Sequence, residues 1–291
     1  MLGKLMKYEF RATGRVFLPM YAILLVMSLI ARIFYTGNLR PEEGGVGMSE
    51  TAVTVIVSMV MAMLFAAVWI VTFVLLLRRF WTNLLGREGY LMNVLPVAPW
   101  EHVAAKLIVA VIWYILSAVA SVLAFSLMLG GVAHAVFGMN WSEFGEMLRE
   151  LSAYLREEHA LAPAVLLIVQ GVLYALIGTV STVLTTYAAM SVGQLVSKGR
   201  VWLSIGVYFA INTVISIIGS VYLSTRVMFG QAGSGFGLYS NRLMHMDSGS
   251  AREFLQAMNL EVLIYVLFFL AFSAVLFFFT QLILKKDLNL Q

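Results

Sequence analysis

The chain has no cysteine and few charged residues. Its 291 residues include 19 lysines and arginines and 15 aspartates and glutamates, so charged residues make up only 12% of the sequence. Soluble domains contain about 25% charged residues, because polar side chains must cover their surface. The absence of cysteine excludes disulfide bonds, thiolate metal sites and cysteine nucleophiles. A hydrophobic content of 61% and a mean hydropathy of +0.91 indicate an integral membrane protein.

Motifs for catalysis and nucleotide binding are also absent. The sequence contains no Gly-x-x-x-x-Gly-Lys-Ser/Thr P-loop, no His-Glu-x-x-His zinc motif and no Gly-x-Ser-x-Gly nucleophile elbow. Its four histidines lie on both sides of the predicted membrane, which argues against a shared metal site. We therefore predict that the chain is not an enzyme and has no cofactor or metal site of its own.

Six apolar runs have the roughly 20 residues needed to cross the hydrocarbon core of a bilayer. They are Val16–Phe34, Ala52–Leu77, Leu107–Leu129, Ala162–Val192, Val201–Leu223 and Leu260–Leu284. None has a charged residue in its central part, so a proton-relay carrier of the usual kind would lack its titratable group. The predicted fold class is all-α, with six transmembrane helices in a single domain over residues 1–291.

Two further segments have amphipathic helical patterns. When residues 1–15 are drawn as a helix, four basic side chains share one narrow face and apolar side chains occupy the opposite side. This pattern predicts an interfacial helix along the inner leaflet. The alternative is flanking positive charge that requires no helix. Apolar residues also recur at helical spacing in Ser142–Glu158, which predicts an external amphipathic helix on the outer surface with Ser142 as its cap.

Lysine and arginine are concentrated on one side of the predicted spans. Because the number of spans is even, both termini lie on the same side, and that side carries twelve of the 19 lysines and arginines. The positive-inside rule assigns the more basic side to the cytoplasm. We therefore predict a multi-pass protein of the cell (plasma) membrane with both termini cytoplasmic. Residues 78–102 form a cytoplasmic loop, and residues 130–161 and 226–259 form extracellular loops.

The cytoplasmic loop contains more specific chemistry than a connection between two spans requires. Residues 78–96 read RRFWTNLLGREGYLMNVLP and include three arginines, two glycines, a glutamate and three large aromatic residues. Arginine and aromatic side chains dominate the contacts that hold protein partners together. The pattern favours a surface that another protein grips. The alternative is an interfacial segment with its aromatic residues at headgroup level.

The opening LGKLMKYEFRATGRVFLPMY and the loop RRFWTNLLGREGYLMNVLPV resemble the six-span permease subunits of the type 2 ABC-transporter superfamily of Gram-positive bacteria. In that family a basic Lys-Tyr-Glu-Phe start precedes the first span. An Asn-Leu-x-Gly-x-Glu-Gly-Tyr-Leu segment followed by Leu-Pro joins the second and third spans. The matching positions here are Lys7–Phe10, Asn83–Leu91 and Leu95–Pro96.

The resemblance implies a permease domain in an ATP-driven exporter. Two permeases, identical or homologous, would pair in the membrane, and a separate ABC ATPase subunit would bind ATP and Mg²⁺. A coupling helix in the cytoplasmic loop would sit in a cleft of that ATPase, with arginines pairing with acids and aromatic side chains filling pockets. The predicted ATPase-coupling residues are Arg78, Arg79, Phe80, Trp81, Arg87, Glu88, Gly89 and Tyr90.

Other roles remain open at the level of sequence. Polar residues within the spans are candidates for lining a substrate pathway, the alternative being hydrogen bonds between helices. These pathway candidates are Thr179, Thr182, Thr186 and Asn212. Membrane lipid is a predicted partner of the basic N-terminus, whereas nucleic acid is not, because cations beside a membrane anchor fit anionic lipid. A self-sufficient channel or secondary transporter is the alternative function, and an intramembrane enzyme is a third.

Overall fold

The computed structural model describes residues 2–38, 48–82, 99–137, 141–196, 198–230 and 251–286. Within these ranges the chain forms seven α-helices and no strand, which confirms the predicted all-α fold class. The helices are α1 (Leu2–Asn38), α2 (Met48–Phe80), α3 (Pro99–Phe137), α4 (Trp141–Glu157), α5 (Leu161–Gly193), α6 (Arg200–Gly230) and α7 (Ala251–Lys286). A wider π-helical turn at Trp81 and Thr82 follows α2.

Six of these helices are long and apolar enough to cross a bilayer. The spanning segments are Leu5–Thr36, Ala52–Phe80, Trp100–Gly131, Leu161–Gly193, Arg200–Tyr222 and Ala251–Ile283. They correspond one to one with the six predicted runs. Helix α4 is the exception, since it has 17 residues, four of them glutamates and two arginines, and lies between the third and fourth spans. It confirms the amphipathic helix predicted over Ser142–Glu158, although it begins at Trp141, so that Ser142 lies in its first turn rather than at its cap. Its external side stays a prediction.

The helices extend beyond the predicted span boundaries. Helix α1 runs for 37 residues without interruption, so residue 15 is not the end of a separate interfacial helix. At 1.5 Å per residue α1 is about 55 Å long, well beyond the roughly 30 Å hydrocarbon core. Helical residues also occupy both ends of the predicted loops 78–102, 130–161 and 226–259. Apolarity marks only the part of a helix that meets hydrocarbon, and polar residues can continue the same helix into water.

The chain divides into two compact units, the first comprising residues 1–80 and 101–149. In this unit α1, α2 and α3 pack around a core that includes Leu24, Val68 and the small side chains of two alanines in α3. Helices α1 and α3 approach each other closely at a glycine, where a side chain would not fit. A Cβ atom on Gly131 would lie 2.9 Å from the carbonyl oxygen of Arg32, so α3 touches the backbone of α1 there.

The second unit comprises residues 81–100 and 150–291 and contains α5, α6 and α7. Helices α5 and α7 run side by side, joined by a 2.6 Å hydrogen bond between the hydroxyls of Ser181 and Ser273. Helix α6 is connected to α7 by the Tyr222 hydroxyl, which donates to the Glu261 carboxylate at 2.7 Å. Gly193 marks a tight approach of α5 and α6, because a Cβ atom there would lie 2.7 Å from the Arg200 carbonyl oxygen.

Candidate functional site

A charged layer joins the three helices of the first unit near the N-terminal end of α1. The Glu9 carboxylate of α1 accepts a hydrogen bond from Arg79 Nη1 at 3.0 Å through one oxygen, and pairs with Lys106 Nζ through the other. Arg79 lies in the last turn of α2 and Lys106 in the second turn of α3. We call Glu9, Arg79 and Lys106 the ionic layer. It fixes both flanks of the segment between α2 and α3 to the same residue of α1.

The ionic layer is shielded from water to different degrees at its three members. The side chain of Lys106 is only 6% exposed, that of Glu9 13% and that of Arg79 29%. Exposed ion pairs contribute about 0–1 kcal/mol, because water screens them and the side chains lose entropy. A buried charge that loses its partner costs far more, about 3–5 kcal/mol. Glu9 and Lys106 are thus closer to the buried case, and Arg79 forms the more exposed edge.

An aromatic stack lies beside the ionic layer. The Trp113 ring of α3 stacks on Phe10 and Phe17 of α1, with ring centroids 4.6 and 4.2 Å apart and planes within 18° and 16° of parallel. The indole Nε1 donates to the Thr13 hydroxyl at 2.8 Å, and that hydroxyl donates to the Glu9 carbonyl oxygen at 2.8 Å. Trp113 is fully buried. The residues around Glu9 therefore bind α3 by packing as well as by charge.

A short chain of hydroxyl groups continues this connection into the apolar interior. The Tyr21 hydroxyl of α1 lies 2.7 Å from the Ser117 hydroxyl of α3, which lies 2.9 Å from the Thr72 hydroxyl of α2. Thr72 donates its own proton to the Val68 carbonyl oxygen at 2.7 Å. Each buried hydroxyl thus has a partner, as groups removed from water require. The three helices are linked by polar contacts over several turns.

His102 is a buried residue of this region whose position the sequence does not reveal. It lies one helical turn before Lys106 in α3, and only 3% of its surface is exposed. Within the described part of the chain, neither ring nitrogen has a hydrogen-bond partner. Burying a polar group without a partner costs about 1–3 kcal/mol.

Among the described residues no three His, Asp or Glu side chains are grouped closely enough to hold a metal ion.

The predicted coupling residues fall into three groups in the structure. Arg78 is exposed at the end of α2, and Trp81 is partly exposed in the turn that follows. Arg79 pairs with Glu9 in the ionic layer. Phe80 is fully buried within the chain, and its role as an anchor in a pocket of a partner stays a prediction. Since α2 extends through residue 80, this ring faces the packed interior of its own chain. The other predicted coupling residues lie outside the described residues: Arg87, Glu88, Gly89 and Tyr90.

The candidate pathway residues are hydrogen-bonded within their own helices. Thr179 and Thr182 donate to carbonyl oxygens four residues earlier in α5, at 2.8 and 2.9 Å. Thr186 is buried and donates to the Val183 carbonyl oxygen at 2.6 Å. The Asn212 side-chain amide donates to the Tyr208 carbonyl oxygen of α6 at 2.8 Å. These contacts satisfy each donor without a ligand, and a lining role for the four residues stays a prediction.

Comparison of the chain with protein-family models, curated proteins and solved structures finds no match in any of the three. The class of the protein follows from its fold: it is an all-helical, multi-pass membrane protein with six candidate spans, an architecture that fits a membrane permease. A more particular assignment relies on the motifs at Lys7–Phe10 and residues 83–96, together with the geometry around Glu9.

Proposed function

We propose that the chain is the membrane-spanning permease subunit of an ATP-driven exporter of the type 2 ABC superfamily. It pairs with a second permease, identical or homologous, in the cell membrane. A separate ABC ATPase subunit binds the cytoplasmic segment 78–102, and both termini lie on the same side as that segment. ATP and Mg²⁺ bind to the ATPase, so the permease itself catalyses no reaction.

The observation that carries this proposal is the ionic layer. Glu9 belongs to the Lys-Tyr-Glu-Phe motif, and Arg79 and Lys106 flank the segment that bears the second motif. A loop that only connected two spans would not need a largely buried carboxylate to fix its two ends. A segment that is moved by a partner does need such an attachment. The ionic layer then transmits the movement into three packed helices rather than into a flexible loop. The layer therefore supports transmission from residues 83–98 into the spans.

The contact with the ATPase follows from what remains accessible. Arg78 is exposed next to the ionic layer in sequence and can pair with an acidic residue of the partner. Arg87 and Tyr90 supply the arginine and aromatic chemistry typical of interface hot spots. We place Phe80 outside the contact, since its ring is buried in this chain. Arg79 is part of the ionic layer, where it pairs with Glu9.

The proposal is tested by purifying a tagged chain in mild detergent from membranes of its native host. The eluate should contain a P-loop protein and hydrolyse ATP. Exchanging two charges, Arg87→Glu with Glu88→Arg, should reduce the amount of that protein, and Tyr90→Ala should weaken its binding by about 2 kcal/mol, roughly 30-fold. The matched control is the exchange Arg149→Glu with Glu150→Arg, an adjacent pair of the same charges in α4.

The control exchange should leave the captured protein unchanged, because α4 lies after three spans and hence on the opposite side of the membrane from the N-terminus. Equal capture by parent and both loop variants would remove the loop from the mechanism. Transport by the purified chain in vesicles without any ATPase would instead establish the alternative, a self-sufficient channel or secondary transporter.

A further inference from the structure

Helix α4 carries an apolar face that is open to its surroundings. Met147, Leu148, Leu151 and Tyr154 are 47%, 48%, 51% and 52% exposed. At 100° per residue these four side chains fall within an arc of about 120°. The remaining arc bears the glutamates and arginines of the helix. An amphipathic helix with an open apolar face requires an occupant for that face, since water would leave four large side chains half exposed.

The corner between α4 and α5 sets the direction of this helix. The Ala160 N–H donates to the Leu155 carbonyl oxygen at 2.7 Å, and the His159 N–H donates to the Arg156 carbonyl oxygen at 3.1 Å. His159 has a φ of 51°, in the left-handed region, and Ala160 is fully buried. These are the features of a Schellman helix end. Helix α4 is therefore held at a defined angle to α5 by hydrogen bonds, rather than attached by a flexible linker.

The bilayer is the occupant within reach of that face. Only three residues separate α4 from the candidate span Leu161–Gly193, and nine separate it from the candidate span Trp100–Gly131, six of them being the last residues of α3. Three residues extend at most about 10 Å, and the headgroup region on each side of the hydrocarbon core is about 5–7 Å thick. On the side of α3, six helical residues and the three that follow reach at most about 19 Å. A helix of 17 residues, about 25 Å long, is longer than either connection, so it cannot stand upright away from the bilayer and lies at the membrane surface.

The charge of the helix indicates which part of the bilayer it contacts. Its polar arc has four glutamates and two arginines, so it is acidic. An acidic arc is repelled by anionic headgroups and remains in water, whereas the apolar arc favours the boundary between headgroups and acyl chains. The aromatic ring and hydroxyl of Tyr154 suit the same boundary, where tyrosine is enriched.

We propose that α4 is a lipid-binding helix that lies on the leaflet opposite the chain termini. Met147, Leu148, Leu151 and Tyr154 insert between headgroups and acyl chains, and the His159 corner holds the helix in place. This assignment is independent of the proposed export function, because it depends only on α4, its corner and the spans that flank it.

The absence of cysteine makes the test direct, because a single introduced cysteine can carry an environment-sensitive fluorophore. Leu148→Cys places the label on the apolar arc, and Ala153→Cys places it on the polar arc of the same helix. The full chain is reconstituted in phosphatidylcholine vesicles that contain shallow doxyl-labelled phosphatidylcholine. The Leu148 label should lose most of its fluorescence to the doxyl lipid and resist aqueous iodide, and the Ala153 label should show the reverse. Equal iodide quenching at both positions, or protection of the Leu148 label from both quenchers, would overturn the proposal.

The corner is tested in the same background. His159→Gly retains the left-handed conformation and should leave the quenching of the Leu148 label unchanged. His159→Ile places a β-branched residue where φ is positive, which is strongly disfavoured, and should shift the label toward iodide. Doxyl quenching that is identical in His159→Ile and the parent would show that the corner does not hold α4 on the lipid. The Leu148 and Ala153 comparison in the parent chain decides lipid binding even if His159→Ile does not fold.

Discussion

The ionic layer makes a quantitative prediction about Glu9 and Lys106. Glu9→Gln keeps the shape of the side chain and removes its charge, which leaves Lys106, only 6% exposed, without the carboxylate that Glu9 supplies. The expected loss lies between about 0–1 kcal/mol for an exposed pair and about 3–5 kcal/mol for a fully buried one. Because Arg79 keeps the layer in contact with water, we expect about 2 kcal/mol. Lys106→Met should cost a similar amount.

The double variant Glu9→Gln with Lys106→Met separates this pair from its surroundings. Both charges are then removed, so the double variant should be more stable than the sum of the single losses predicts, by about 1–2 kcal/mol. Unfolding by sodium dodecyl sulfate in mixed micelles measures the loss of stability in the two single variants and in the double variant. Tryptophan fluorescence is the signal, since Trp113 stacks on α1 beside the ionic layer. The exposed Glu146→Gln should change stability by less than about 0.5 kcal/mol. Losses that add to within about 0.5 kcal/mol in the double variant would refute the coupling.

Three further predictions test topology, packing and energy supply. A cysteine at Ser152 should react with a membrane-impermeant thiol reagent in intact cells and one at Ser197 should not; the opposite result would invert the assigned topology. Gly193→Ala should destabilise the chain by about 1–3 kcal/mol, because the new Cβ meets the backbone of α6, whereas Gly171→Ala, with no atom within 4 Å, should be neutral or stabilising in thermal unfolding. The chain purified alone should neither bind nor hydrolyse ATP, and hydrolysis by a contaminant-free preparation would contradict the subunit assignment.

Several features of this protein could be read from the order of its residues. Composition and run length determine the six spans, because about 20 consecutive apolar residues have few stable environments other than a bilayer. The period of the apolar residues in Trp141–Glu157 identifies α4 as amphipathic, since a helix presents every third or fourth side chain on the same face. Both features depend on local physics, in which the solvent around a segment decides its conformation.

The ends of the helices and the burial of Phe80 could not be predicted in this way. A polar residue after an apolar run neither stops nor continues a helix by itself, so α1 and α2 extend past the limits that hydropathy indicates. Phe80 has the chemistry of an interface anchor, and only the folded structure shows that its side chain is buried. Aromatic residues serve both purposes, and burial decides between them.

The ionic layer is the clearest case of what tertiary structure alone decides. In sequence, Glu9 is one acid among basic residues, and its partners Arg79 and Lys106 lie 70 and 97 positions away. Nothing local relates the three, because an ion pair depends on distance in space and on removal from water, and packing of α1, α2 and α3 sets both. The sequence by itself determined which segments enter the membrane. The tertiary structure decided which charged side chains pair in the ionic layer, because their distances depend on how the helices pack against one another.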